Sequence, residues 1–202
     1  SISKLLKNIN LNDSNIILGH SRLITNGHAD NQPVNRKDLA VLHNGIIVND
    51  DELWEKTNLE RKQLIDTEII AAIASDHIRK SGSIELLPEK LFELCNGVLS
   101  SAIVFPSQGK LLLISNNGSL YTGKKNGNLY FSSEEYPLIK LECESVEQIL
   151  NDFKIIDAPS SLEPFKEINY EEERIDFVPG LILSSEKEKL LEYKQHELKR
   201  CS

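Results

Sequence analysis

Leu39-Ala40-Val41-Leu42-His43-Asn44-Gly45-Ile46-Ile47-Val48 is two apolar runs broken by an Asn-Gly pair. Asn-Gly between β-prone runs predicts a tight turn or hairpin, because both residues tolerate the positive φ such turns require. Further along, Asp66 opens the clearest helix of the chain. Ile69, Ile73 and His77 step by four, with Ile70, Ala74 and Ile78 beside them, which is one helical face. Asp66 is the expected N-cap, and Lys80 followed by Gly82 marks the end.

Outward from this centre, Asn15–Leu18 reads as a short strand, and Gly19–Gly27 as extended chain ending in an Asn26-Gly27 turn. Asp30–Lys37 is polar, contains Pro33, and reads as loop. Asn49–Lys56 reads as an N-cap and a short helix with its acids first. Ser83–Leu94 reads as a second helix, with Pro88 tolerable near a first turn. Val98–Phe105, Lys110–Ser115, Leu120–Thr122 and Leu129–Ser132 are short strands between turns, the pattern of an antiparallel meander. Val146–Asp152 reads as a short helix, Ala158–Pro164 as a loop, and Ile175–Leu183 as a strand broken at Pro179-Gly180. Ser184–Arg200 reads as a charged helix. Strands, then helices, then strands predict an α+β fold.

Composition bounds the function. The 202 residues suit one domain, or at most one domain with an appendage, and an apolar share of 40% supports a core without disulfides or metals. The net charge of −8 repels phosphate backbones and argues against nucleic acid as a partner. The apolar runs are strand length, so no membrane span is expected, and no leader is visible. Cys95, Cys143 and Cys201 have no CxxC spacing, which argues against a metal site and a disulfide framework. A reducing, cytoplasmic setting is the default.

Candidate chemistry gathers at Arg22, Asn44, Gly45 and Asp66. An arginine grips a carboxylate in bidentate fashion, and an aspartate holds an ammonium. An Asn side-chain amide with a Gly backbone N–H can form an oxyanion hole. Together these groups suit an α-amino acid whose side-chain carbonyl is attacked. Taken singly, each has a plainer role: a surface charge, a turn, a helix cap.

Gly19-His20-Ser21-Arg22, Thr25-Asn26-Gly27, Asn31-Gln32-Pro33, His43-Asn44-Gly45-Ile46-Ile47 and Asp66-Thr67-Glu68-Ile69-Ile70 come in an order that resembles class II glutamine amidotransferase domains. Asn117-Gly118-Ser119-Leu120 and Ser132-Ser133-Glu134 extend the resemblance, although a proline the family places before the leucine is missing. The resemblance implies a four-layer αββα sandwich of two antiparallel sheets, as in N-terminal-nucleophile hydrolases. It implies glutaminase chemistry, with ammonia passed to a synthetase or acceptor domain in the same chain or a partner subunit, and no cofactor or metal. By position, it implies that Arg22 binds the glutamine α-carboxylate with Thr25 nearby, and that Asp66 and the Gly45 carbonyl bind the α-ammonium. Asn44 and the Gly45 amide would stabilise the oxyanion. His20 and His43 are expected to pack within strands.

The family's nucleophile is an N-terminal cysteine followed by Gly-Ile, placed further upstream than the 19 residues that precede His20 here. Ser1-Ile2-Ser3 does not resemble it, and an internal cysteine has no free α-amine to act as base. Either the nucleophile lies outside the sequence given, or the chain is an inactive relative that binds glutamine. An amidohydrolase of the same superfamily acting on another amide is a third reading, but it would not need both Arg22 and Asp66. The expected organisation is an amidotransferase-like domain over residues 1–183 and a charged helical tail or linker over 184–202, leading to a possible synthetase domain.

Overall fold

A computed structural model of the chain describes residues 16–20 and 32–158. Ten strands and four helices follow in order: β1 (Val34–Arg36), β2 (Leu39–His43), β3 (Ile46–Ile47), α1 (Asp50–Lys56), α2 (Thr67–Ser81) and α3 (Leu87–Leu94). Then come β4 (Gly97–Val98), β5 (Ser100–Phe105), β6 (Lys110–Ser115), β7 (Tyr121–Lys125), β8 (Asn128–Ser132), α4 (Glu135–Lys140), β9 (Glu144–Gln148) and β10 (Asp152–Asp157).

The larger sheet has the order β1-β2-β5-β6-β10 and is antiparallel throughout. Its central strands are buried along almost their whole length, as expected of strands covered on both faces. Alternation then divides the core in two. Ile103 and Phe105 of β5 and Leu112 and Ile114 of β6 face the cluster built by α2 and α3. Ala102 and Val104, with Leu111 and Leu113, face a second cluster completed by Leu120, Leu129, Phe131 and Ile149. That second cluster lies against the smaller sheet, β8-β7-β9. Helix α4 packs on all three strands of that sheet, giving the order helix, sheet, sheet, helix.

Helix α2 sits on β1 and β2 because its first half carries small and branched apolar side chains. Ile69, Ile70, Ala71, Ala72, Ile73 and Ala74 are all buried, and the alanines let the helix approach closely. Asp66 caps it through Oδ1, which accepts from Thr67 N at 2.9 Å, and the Gly82 amide closes the far end on Ile78 O at 2.8 Å. Glu68, buried, forms an ion pair with Arg36 of β1 and so ties helix to sheet edge.

Several expectations are corrected. Val34–Arg36 is a strand rather than loop, because pairing with β2 and the Glu68 contact outweigh its polar composition. Residues 146–152 are not helical: Val146 lies in β9 and Asp152 begins β10, whose Ile155 pairs with Leu112. The expected meander splits, with β5–β6 in one sheet and β7–β8 in the other. Residues 16–18 are irregular chain, although Ile16 and Leu18 pack on the second cluster. Helix α3 starts at Leu87, with Pro88 in its first turn. Asn49 stands at the N-cap position of α1 but bridges instead: its Nδ2 donates to Leu94 O and its Oδ1 accepts from Asn96 N. The expected boundary at 183/184 lies outside the described residues.

Candidate active site

The Asn44–Gly45 turn leaves the end of β2 and starts β3, and neighbouring chain holds it firmly. Asn44 N donates to Ser100 O at 2.8 Å. One residue earlier, the Gln32 side chain brackets the His43 backbone: Nε2 donates to His43 O at 2.9 Å and Oε1 accepts from His43 N at 2.6 Å. A side-chain amide thus does what a neighbouring strand would do.

Gly45 has φ +152°. A Cβ here would run into the Val98 carbonyl and sit 2.9 Å from His43 Nε2, so the turn demands glycine for space as well as conformation. Gly97, opposite Ile47 on β4, is equally tight against Ile46 O at φ +113°. The two strands can therefore approach only because both positions lack side chains.

Asp66 reaches this turn through the backbone. Its Oδ2 accepts from Ile47 N at 2.9 Å while Oδ1 caps α2. Each carboxylate oxygen keeps a further lone pair, so the group can still receive an ammonium. Asp66 Oδ2 lies 3.8 Å from His43 Nδ1. His43 is buried at the end of β2, and its Nε2 is 2.9 Å from Val98 O. Burial pushes the His43 pKa below 6.5, and the nearby Asp66 charge and the Val98 bond offset this only partly.

A cavity of about 310 Å³ opens beside the turn. Gly19, His20, His43, Asn44, Ser119, Leu120, Ser132 and Ser133 line it, and all belong to motif stretches that are far apart in sequence. Leu42, Ser100, Ser101, Ala102 and Phe131 complete the wall. Ser100 Oγ lies 2.6 Å from both Ser115 Oγ and Asn117 Oδ1, and Asn117 Nδ2 donates to Ser119 Oγ at 3.0 Å. This polar chain anchors the 116–119 turn to β5 and so fixes one lip of the cavity.

Of the expected site residues, Asn44 lines the cavity, Gly45 adjoins it, and Asp66 bonds the strand that follows. Asp66 itself is not a lining residue. Arg22 and Thr25 lie outside the described residues. His43 is in a strand as expected, whereas His20 is half-buried in irregular chain at the cavity wall. Sequence reasoning missed the Ser100–Ser115–Asn117 chain and the Gln32 bracket. Paired serines inside apolar strands were the available signal for the first. Neither described cysteine lines the cavity; Cys95 is buried, which pushes its thiol pKa up to about 12. Among the described residues, no cluster of three metal-ligating side chains occurs and no helix is long and apolar enough to cross a membrane.

Comparison with known proteins adds to this geometry. The family described as a glutamine amidotransferase domain matches residues 20–140. The chain is 29% identical over 133 residues to a glutamine–fructose-6-phosphate aminotransferase of Bradyrhizobium diazoefficiens, covering 61% of this chain and 22% of that protein. It is 30% identical over 132 residues to a protein of the same name from Zymomonas mobilis, covering 61% and 22%. The chain thus spans about a fifth of the length of the curated relatives it matches. Among solved structures, glutamine phosphoribosylpyrophosphate amidotransferase from B. subtilis superposes with a TM-score of 0.55 at 20% identity, over 68% of this chain and 32% of that one. That likeness shows the fold, the sandwich of the N-terminal-nucleophile hydrolases.

Proposed function

We propose, on the premise that the chain belongs to the family of glutamine amidotransferase domains, that it binds glutamine beside Asn44–Gly45 and hydrolyses it to glutamate and ammonia. The observation that carries this reading is the cavity itself. Motifs separated by up to about a hundred residues meet around one space of about 310 Å³, and Asp66, a carboxylate suited to an ammonium, lies 3.8 Å from His43 on its wall.

In this reading Asp66 and the Gly45 carbonyl hold the α-ammonium, and Arg22 with Thr25 holds the α-carboxylate. A cysteine thiolate, supplied from outside the described residues, attacks the side-chain amide carbon. The electron pair of the carbonyl moves to oxygen, and the Asn44 side-chain amide with the Gly45 N–H receives that oxyanion. Collapse expels ammonia, which takes the proton held by the cysteine's α-amine, and water then cleaves the thioester to glutamate. No cofactor enters this half-reaction. The relatives' names point to phosphorylated sugars, so a sugar acceptor on another domain or subunit is the proposed destination of the ammonia. An asparagine-synthetase-like acceptor site is the other candidate. A protein with this site but no nucleophile would be a glutamine-binding regulatory module.

Intact mass with N-terminal sequencing, followed by calorimetry with L-glutamine and an assay of glutamate release, separates these readings. Binding with release supports the glutaminase. Binding without release selects the regulatory module. No binding overturns both.

A further inference from the structure

We propose that His43, as a neutral imidazole carrying its proton on Nε2, is the positioning residue that holds the Gly45 turn and Asp66 in their working orientation. The inference rests on the glutamine-site reading above and goes beyond it by giving the buried histidine a task. A backbone carbonyl can only accept, so the 2.9 Å contact with Val98 O requires Nε2–H as donor. That same carbonyl is the atom a Gly45 side chain would strike. The imidazole therefore fixes the carbonyl against which Gly45 packs, its own Nε2 bounds the same space, and together they set the direction of the Gly45 amide.

The other ring nitrogen completes the argument. Nδ1 is buried, makes no hydrogen bond, and lies 3.8 Å from Asp66 Oδ2. In the Nε2–H tautomer Nδ1 has a lone pair, so it cannot compete for the carboxylate. Asp66 then keeps its charge for an incoming ammonium. A protonated ring would instead present Nδ1–H to Oδ2 and neutralise the group that binds substrate. Asp66 is the charged residue facing the ring from the start of α2, and His20 shares the cavity wall. Gln32 and Val98 meet His43 with an amide and a carbonyl only.

Two measurements test this. Long-range 1H–15N spectra of the ligand-free protein report the tautomer and need no variant. Neutral Nε2–H near neutral pH is expected; an Nδ1–H tautomer or an imidazolium overturns the proposal. Calorimetry with L-glutamine then compares His43→Gln, whose amide can replace the Nε2 donor, with His43→Asn, whose shorter amide cannot. His43→Gln should stay within about threefold of the parent affinity while His43→Asn loses about tenfold or more, the weight of a lost buried hydrogen bond. Equal affinities in the two folded variants overturn the proposal. If the parent protein binds no glutamine, the functional reading fails, and with it the link to substrate. The tautomer then decides by itself whether His43 holds the turn.

Discussion

The two faces of the central sheet are built differently. On one, α2 and α3 press a dense layer of Ile, Leu and Ala onto β1, β2 and β5. On the other, a smaller cluster joins the two sheets and gives way at its end to the cavity, whose walls include Leu42, Ala102 and Leu120 of that cluster. Neighbouring residues of one strand serve the two tasks: Val41 packs under the helices, and Leu42 borders the cavity. The helix face is packed throughout, whereas the opposite face is packed only until the cavity, where the Ser100–Ser115–Asn117 chain holds the lip in place of apolar contacts.

The sharpest way to break this contrast is a pair of truncations. Leu112→Ala, on the helix face, should cost about 3–5 kcal/mol in urea unfolding, because close-packed neighbours cannot collapse into the gap. Leu42→Ala borders existing space and should cost roughly 2 kcal/mol, close to the transfer term alone. Equal losses would mean the two faces are packed alike. Asn44→Ala should lower the rate of glutamate release about 10²–10³-fold, the usual effect of removing one oxyanion donor. Its unfolding midpoint should hardly move, since the residue is exposed. A large loss of stability would place Asn44 in the scaffold instead.

Smaller effects follow at the substrate's charged ends. Arg22→Ala and Asp66→Asn should each raise the glutamine KM, or weaken its Kd, at least about tenfold, as expected for a charged contact of roughly 1.5–3 kcal/mol. An unchanged value would remove that residue from the site. Acid should weaken the fold in two stages. His43 has a lowered pKa, so the folded state resists its protonation, and stability is lost as pH falls below 6.5. For Asp76, burial pushes the pKa up, but hydrogen bonds from Lys80 and Arg79 more than reverse this, so stability falls again below 3.8. His43→Gln should shrink the upper stage, to which His77 with its own lowered pKa also contributes, and Asp76→Asn should shrink the lower one in pH-dependent thermal unfolding. The exposed Glu52–Lys56 pair should matter least, with Lys56→Ala costing under about 0.5 kcal/mol.

Local signals were legible where local forces decide. The four-step spacing of Ile69, Ile73 and His77, with an Asp before and a Gly after, specified α2 nearly to the residue. The Asn44-Gly45 pair marked the break between two strands but not the expected hairpin: β2 pairs with β5, β3 pairs with β4, and of the two residues only Gly45 takes a positive φ. Misreadings fell where distant partners decide. Val146 and Ile149 stand three apart, as on a helix, yet Val146 lies in β9 beside β7. Val34-Asn35-Arg36 looked like loop because its strand identity depends on β2 and on Glu68. The cavity wall of Ser100 and Ser101 carried no motif at all.

By itself the sequence determined the chemical inventory and the local geometry: glycines where no side chain fits, an aspartate at a helix start, apolar strands long enough to be covered on both faces. Only tertiary structure decided which strands share a sheet, that Asp66 bonds the strand after Asn44–Gly45, and that His43 meets Val98. Those choices depend on register and pairing across long sequence separations, and such pairings gain their free energy only when the whole sandwich closes.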